Sequence, residues 1–270
     1  MAEPPLFFFH NPKAAGSSIK SVLERQFAAS ARSPNIENDA TEHAALAGSY
    51  SRFQGYDYYG GHFGRDVFDA VAEGHRPITG FRDPLSRVVS LYNFFRFAVT
   101  LPPAELASER FHAVRAAKTL PFDRFVASGD PRIEVYIDNQ HFRQLTGSGW
   151  SLERRGSLAD ARRFIDRMPW YYVCEHPELS ALWARQALGW RLPALPRENV
   201  TAGPPDEMVQ VADLDLSVCR MLYAKNQFDL ALYQYAVTGL VRRLTAAPVR
   251  RGRVGTEHSA ATGAVPGAAP

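Results

Sequence analysis

Phe7-Phe8-Phe9-His10-Asn11-Pro12-Lys13-Ala14-Ala15-Gly16-Ser17-Ser18-Ile19-Lys20 joins an apolar run to a Pro-containing turn and then to small and hydroxyl-bearing residues. The apolar run reads as a short buried strand over residues 6–9. A helix follows from Ser17 to about residue 29, with Ile19, Val22, Leu23 and Phe27 at core spacing. A helix that opens just beyond such a turn presents backbone N–H groups. Lys13, Ser17 and Ser18 are expected to face the same point, which makes an anion site. A strand, a lysine-bearing turn and a helix N-terminus in this order suggest a nucleotide phosphate as the anion.

Strand and helix patterns alternate onward from this stretch. Residues 30–49 read as loop with one short helix. Residues 56–59 form an aromatic strand ending at Gly60-Gly61-His62, then come a helix over 66–73 and a buried strand over 77–81. Asp83 as N-cap and Pro84 at the first helical position open a strong helix. Its stripe is Leu85, Val88, Val89, Tyr92, Phe95 and Val99. Further helices are expected over 104–118, 122–127 and 134–145, and over 158–167 behind a Ser157/Asp160 capping box. A strand over 170–174 and a helix over 178–188 closed by Gly189 come next. A Pro-rich loop over 191–205 leads to helices over 217–223 and 227–244. This alternation predicts an α/β fold with a mainly parallel sheet and a helix-rich C-terminal half. Ligands in such sheets sit beyond the C-terminal ends of strands, where residues 10–16, His62 and Arg82 all fall.

The 270 residues carry 46% hydrophobic and 12% aromatic side chains, enough for a sizeable core. One domain over residues 1–244 is expected, with a disordered Ala/Gly/Pro/Arg tail over 245–270 that contains Arg250, Arg251 and Arg253. A net charge of +3, carried largely by arginine, suits small phosphate or sulfate ligands better than nucleic acid. Two cysteines, Cys174 and Cys219, are too few for a disulfide framework or a zinc site, and a reduced cytoplasmic setting is expected. Neither a membrane span nor a signal peptide is read in the chain.

The turn is not a Walker loop, which places Lys directly before Ser/Thr and binds Mg²⁺ through the hydroxyl. Lys13 instead precedes Gly16 by three residues, and no lysine adjoins Ser17 or Ser18. A second segment, Gly80-Phe81-Arg82-Asp83-Pro84-Leu85-Ser86-Arg87-Val88-Val89-Ser90-Leu91-Tyr92, puts an arginine at a strand end before a capped helix. Ser86 and Ser90 share a face off the apolar stripe, so Arg82 with a serine hydroxyl is a receptor for a second phosphate. Taken alone, the first segment also fits an ordinary strand–turn–helix. The second also fits an Arg82–carboxylate pair with solvated serines.

Together the two segments resemble the cofactor-binding signatures of sulfotransferases that use 3′-phosphoadenosine 5′-phosphosulfate (PAPS), in the carbohydrate branch that includes uronosyl 2-O-sulfotransferases. His10 to Ser18 is similar to that family's 5′-phosphosulfate loop, and Arg82 to Tyr92 to its 3′-phosphate segment. Ala14 stands where many members have Thr. Asp138 to Gly147, Leu188-Gly189-Trp190, Arg197 to Val200 and Asn226 to Tyr233 resemble later landmarks, so the likeness spans about residues 6–236. It implies a three-layer α/β/α fold like that of P-loop nucleoside triphosphate hydrolases. It also implies PAPS as cosubstrate, adenosine 3′,5′-bisphosphate (PAP) as product, and a carbohydrate or small-molecule acceptor.

On this reading Lys13, Ala14, Ala15, Gly16, Ser17 and Ser18 hold the 5′-phosphosulfate, Lys13 also neutralises the leaving oxygen, and Arg82 and Ser90 bind the 3′-phosphate. His62 is the expected general base, because imidazole titrates near neutrality. His10 competes for that role but opens the phosphate loop. His141 is either a ligand contact or a surface residue, and Asn139 and Arg143 are acceptor-contact candidates or internal hydrogen-bonders. Asn199 is a candidate cover for the adenosine. No metal is required. The rival readings are a P-loop kinase or phosphotransferase and a non-catalytic PAP-binding protein.

Overall fold

A computed structural model of the chain describes residues 4–35, 49–190 and 201–246. The expectations for Asn199, the Arg197 to Val200 landmark and the tail from residue 247 on lie outside the described residues. So do residues 36–48 and 191–200 of the two expected loops.

Four parallel strands make the sheet, in the order β2-β1-β3-β4. They are β1 (Leu6–Phe9), β2 (Tyr58–Gly61), β3 (Arg76–Phe81) and the two-residue β4 (Tyr172–Val173). β1 lies between β2 and β3, with Phe8 opposite both Gly60 and Ile78. All four β1 residues are fully buried, as a central parallel strand requires. Phe7 and Phe9 point to one face, where Phe68 and Phe164 meet them edge-on or tilted at 5.1–5.7 Å. Those two rings belong to helices α2 (Arg65–Val71) and α9 (Leu158–Asp166). Phe27, just past helix α1 (Gly16–Glu24), stacks on Tyr58 of β2 at 5.1 Å.

Helix α3 (Pro84–Asn93) begins as its sequence requires: Asp83 accepts a hydrogen bond from the Ser86 N–H at 3.0 Å, with Pro84 in the first turn. It does not stay α-helical to Val99. Phe94–Ala98 form a π-helical turn instead, a feature common beside functional sites. The single helix expected over 104–118 is broken into α4 (Pro103–Leu106), a 3₁₀ turn and α5 (His112–Thr119). After α6 (Phe122–Val126) the 134–145 pattern also divides, into α7 (Pro131–Ile137) and α8 (Gln140–Thr146). The break is Asn139 in the left-handed conformation, φ 43°. The capping box at Ser157/Asp160 forms as read.

Helix α10 (Pro177–Leu188) ends at left-handed Gly189, and α11 (Leu216–Lys225) and α12 (Gln227–Ala246) complete the described chain. One hydrophobic cluster fills the space between the sheet and α2, α8, α9, α10 and α12. A second sits among α3, α5, α6, α7 and α11. No helix among the described residues is long and apolar enough to cross a membrane.

Candidate active site

Because the chain passes from β1 first to β2 on one side and then to β3 on the other, the strand order reverses beside β1. Crevices beyond the strand ends at such a switch are the usual ligand sites of parallel sheets. A cavity of about 1020 Å³ opens there, lined by Lys13, Gly16, His62, Arg82, Ser86 and Ser90 among others. The turn after β1, the end of β2 and the segment after β3 therefore meet in one place.

The turn is held in an uncommon backbone shape. Lys13 and Ala15 are both left-handed, at φ 64° and 60°. Left-handed non-glycine residues are uncommon and cluster at ligand clamps. Arg82 Nη1 donates to the Lys13 carbonyl at 3.0 Å and braces the turn from β3. The Asn11 side-chain amide, buried, donates to the Gly80 carbonyl at 3.4 Å. Ala14 is corrected by this geometry: its methyl is buried, its N–H bonds the Asn11 carbonyl at 3.2 Å, and it does not line the cavity. Ala15, Gly16, Ser17 and Ser18 do line it.

Lys13 Nζ lies over the Phe94 ring at 4.1 Å from its centroid, a cation–π contact. Burial, together with the neighbouring Arg82 charge, lowers its pKa to about 8. Neither Lys13 nor Arg82 has a carboxylate within ion-pair distance among the described residues. Two cations on one cavity, neither held in an ion pair, constitute an anion receptor. Ser86 and Ser90 of α3 complete it with hydroxyl donors.

His62 and His10 form a stacked pair, their ring centroids 4.1 Å apart and planes 29° apart. His62 Nδ1 lies 2.8 Å from the His10 carbonyl oxygen. A carbonyl can only accept, so Nδ1 carries the proton and Nε2 keeps its lone pair. Trp150 approaches the His62 ring edge-on at 6.1 Å and donates from Nε1 to the His62 carbonyl at 2.9 Å. Gln144 donates to the Phe63 carbonyl at 2.8 Å. Desolvation lowers the His62 pKa to about 4; the bond to His10 opposes that shift and Lys20 adds to it. Desolvation, with help from His62, Lys20 and Lys13, also holds His10 well below the usual imidazole range. Both rings are neutral at pH 7.

His10 packs against Gly16: a Cβ there would fall 1.7 Å from His10 Cδ2. Gly60, at the end of the aromatic strand, makes room for the Tyr58 ring, whose hydroxyl would lie 2.4 Å from a Cβ.

Asn139 and Arg143 are not brought to the cavity, and their candidacy as acceptor contacts is corrected. Asn139 is fully buried, and its side-chain oxygen accepts the N–H groups of Phe228 and Asp229 at 2.8 and 3.1 Å. It thereby caps α12. Asp229 returns the favour to α8, accepting from the N–H groups of His141 and Phe142 at 3.2 and 2.7 Å. Arg143, also buried, donates to the carbonyls of Val135, Asp138, Gly149 and Ser151. His141 is buried rather than superficial, and its Nε2 donates to Thr79 Oγ1 at 3.1 Å. That hydroxyl in turn donates to the Phe9 carbonyl at 2.8 Å, just ahead of the turn. Desolvation, with the Arg87 charge, lowers the His141 pKa to about 3.

Sequence reasoning passed over the cavity-facing stripe of α1, Lys20, Ser21 and Glu24, and the facing Asn35. Their signal was present, since Ser17, Lys20, Ser21 and Glu24 fall at i, i+3, i+4 and i+7. Such a stripe ordinarily marks a solvated face. Cys174 also lines the cavity, but burial pushes its thiol up to about 12, far from a nucleophile's range. Among the described residues no cluster of three His, Cys, Asp or Glu side chains is placed to hold a metal ion.

No family model matches the chain, and no curated protein matches it.

Proposed function

We propose that the chain is a sulfotransferase of the P-loop-like three-layer α/β/α type, transferring the sulfuryl group of PAPS to an acceptor hydroxyl with His62 as general base. The observation that carries this reading is the convergence of Lys13, Arg82, Ser90 and His62 on one cavity from three different strand ends. The donor set suits a molecule with two separated anionic groups. Ala15 to Ser18 and Lys13 surround one anion position at the N-terminus of α1, where helix N–H groups favour negative charge. Arg82, Ser86 and Ser90 surround a second at the start of α3.

The acceptor hydroxyl gives its proton to His62 Nε2 as its oxygen bonds to sulfur. The bond from sulfur to the bridging oxygen breaks in the same displacement, and Lys13 neutralises the charge left on that oxygen. A pKa near 4 keeps His62 in the base form at neutral pH. An anionic donor beside it raises that value toward the working range, since an opposite charge favours the imidazolium. General base catalysis contributes on the order of 10²–10⁴ in rate. A charge-stabilising donor such as Lys13 contributes about 3–4 kcal/mol.

The test is a thermal-shift comparison of PAP with ATP–Mg²⁺, followed by assay of His62→Ala and Lys13→Ala with PAPS. PAP is expected to raise the melting temperature and ATP–Mg²⁺ to leave it nearly unchanged. His62→Ala should still bind PAP and lose turnover by about 10²-fold or more. Full activity in His62→Ala removes the base assignment, and a shift with ATP–Mg²⁺ alone favours a kinase.

A further inference from the structure

The cavity is larger than its anion receptor, and its two ends differ in chemistry. Of the apolar lining residues, Val89 of α3, Phe94 of the π-helical turn, Tyr172 of β4 and Met208, Val209 and Val211 of the 201–211 segment stand on the Arg82 side. On the His62 side the wall is the polar stripe of α1, with Asn35 facing it. From Ser17 to Glu24 this stripe runs about 10 Å along the helix.

The charges at this end are already matched. Lys20 Nζ donates to Asn35 Oδ1 at 2.7 Å and lies 3.6 Å from Glu24 Oε1. Ser21 Oγ donates to the Ser18 carbonyl at 3.0 Å and can still accept. His10 and His62 are neutral, and Lys20 is near enough to depress the pKa of both. The stripe is therefore contiguous with the base. It offers hydrogen-bond donors and acceptors in alternation, with no net charge.

We propose that the α1 stripe Lys20–Ser21–Glu24, with Asn35, is the acceptor subsite, and that it selects a neutral polyhydroxylated molecule over anionic, cationic or phenolic acceptors. This rests on the sulfotransferase reading above and goes further by naming the acceptor's chemistry. A carboxylate on the acceptor finds no unmatched cation here, since Lys20 is engaged by Glu24 and Asn35. An ammonium likewise finds no unmatched carboxylate on the stripe, since Glu24 is engaged by Lys20 and Glu175 stands on the Arg82 side beside Asp83. A flat phenol, with a single hydroxyl, uses little of the wall's remaining hydrogen-bonding capacity, a mismatch that sites built for hydroxyls reject. A polyol takes up donors and acceptors together, with one hydroxyl beside His62.

The experiment uses the full chain with PAPS. It compares sulfate transfer, by mass spectrometry and kcat/KM, to methyl glucoside, galactoside, mannoside and xyloside, to methyl glucuronide and glucosaminide, and to 2-naphthol. At least one neutral glycoside is expected to exceed the charged sugars and 2-naphthol by about tenfold or more. Glu24→Gln leaves Lys20 unmatched and should raise kcat/KM for methyl glucuronide relative to the neutral sugars by about three- to tenfold. PAP affinity in Glu24→Gln should stay within about twofold, because additivity holds for sites without shared partners. PAP binding with transfer only to 2-naphthol or a charged sugar overturns this proposal alone, as does transfer to no neutral glycoside. Absence of PAP binding overturns the donor reading and this one with it.

Discussion

Replacing Gly16 by alanine inserts a methyl carbon against the His10 ring, at 1.7 Å from Cδ2, 1.9 Å from Nε2 and 2.7 Å from Cγ. Ordinary contact for a Cβ begins near 3.4 Å, so the ring must retreat by about 1.7 Å. Its retreat is hemmed in by Phe8, stacked at 5.6 Å, and by His62 at 4.1 Å. Overpacking of this kind costs about 1–3 kcal/mol. Alanine's better helix propensity returns less than about 1 kcal/mol. The net loss of about 1–2 kcal/mol lowers the melting temperature by roughly 2–8 °C in a domain of this size. Catalysis suffers more, because a displacement of about 1 Å at a reacting group costs about 10²-fold. Differential scanning fluorimetry and turnover with PAPS measure the two effects. The double variant Gly16→Ala/His10→Ala removes the clashing ring and should recover most of the lost melting temperature, a coupling that a double-mutant cycle isolates. A Gly16→Ala protein with unchanged melting temperature and turnover within threefold refutes this account of the His10–His62 pair.

The Lys13 ammonium, lowered to about 8 in the free protein, gives a pH signature. A bound anion raises its pKa, so binding takes up a proton above pH 8. PAP affinity should be level below that pH and fall by up to about tenfold per unit above it. Lys13→Met should flatten this dependence in calorimetric titrations between pH 6.5 and 9.5; an unchanged slope assigns the titration elsewhere. Asn139→Ala removes the cap of α12 and the bond to the Lys225 carbonyl, which should cost about 2 kcal/mol in urea unfolding. PAP affinity of the folded protein should stay within about twofold. A raised acceptor KM with unchanged stability would restore Asn139 as a ligand contact.

What the sequence disclosed followed from local chemistry. β1 is apolar at all four of its buried positions, one leucine and three phenylalanines. Asp83-Pro84 and Ser157/Asp160 cap their helices with atoms only three residues away. Arg82 and His62 were legible because each stands directly after a strand, and Lys13 because it lies in the short turn after β1; parallel strands deliver their ends to the same edge. The rest depended on partners distant in the chain. The left-handed break at Asn139 needs the N–H groups of residues 228 and 229, so a continuous 134–145 pattern could not reveal it. The π-turn at Phe94 sets a ring under Lys13, a pairing across some eighty residues that no periodicity announces. His141, open from sequence between a ligand contact and a surface role, is neither a surface residue nor solitary, because Thr79 and the Phe9 carbonyl stand opposite it.

The polar stripe of α1 joins these two kinds of information. By spacing alone it is a solvated face, and only the strand order turns it inward, because β2 and the His62 turn stand on that side of β1. One helix then serves both halves of the cavity. Its N-terminus, beside Lys13 and Arg82, favours negative charge, while its flank, where Lys20 and Glu24 compensate each other, favours none. An anionic molecule is thereby driven to the Arg82 side, and a neutral one meets no penalty on the His62 side. The neutral histidine pair sits at the junction, where under the proposed mechanism the lone pair of His62 Nε2 would take the proton of the neutral molecule. Reversing Lys20 to Glu would put uncompensated negative charge on that flank, which is the opposite of what the two-ended cavity requires.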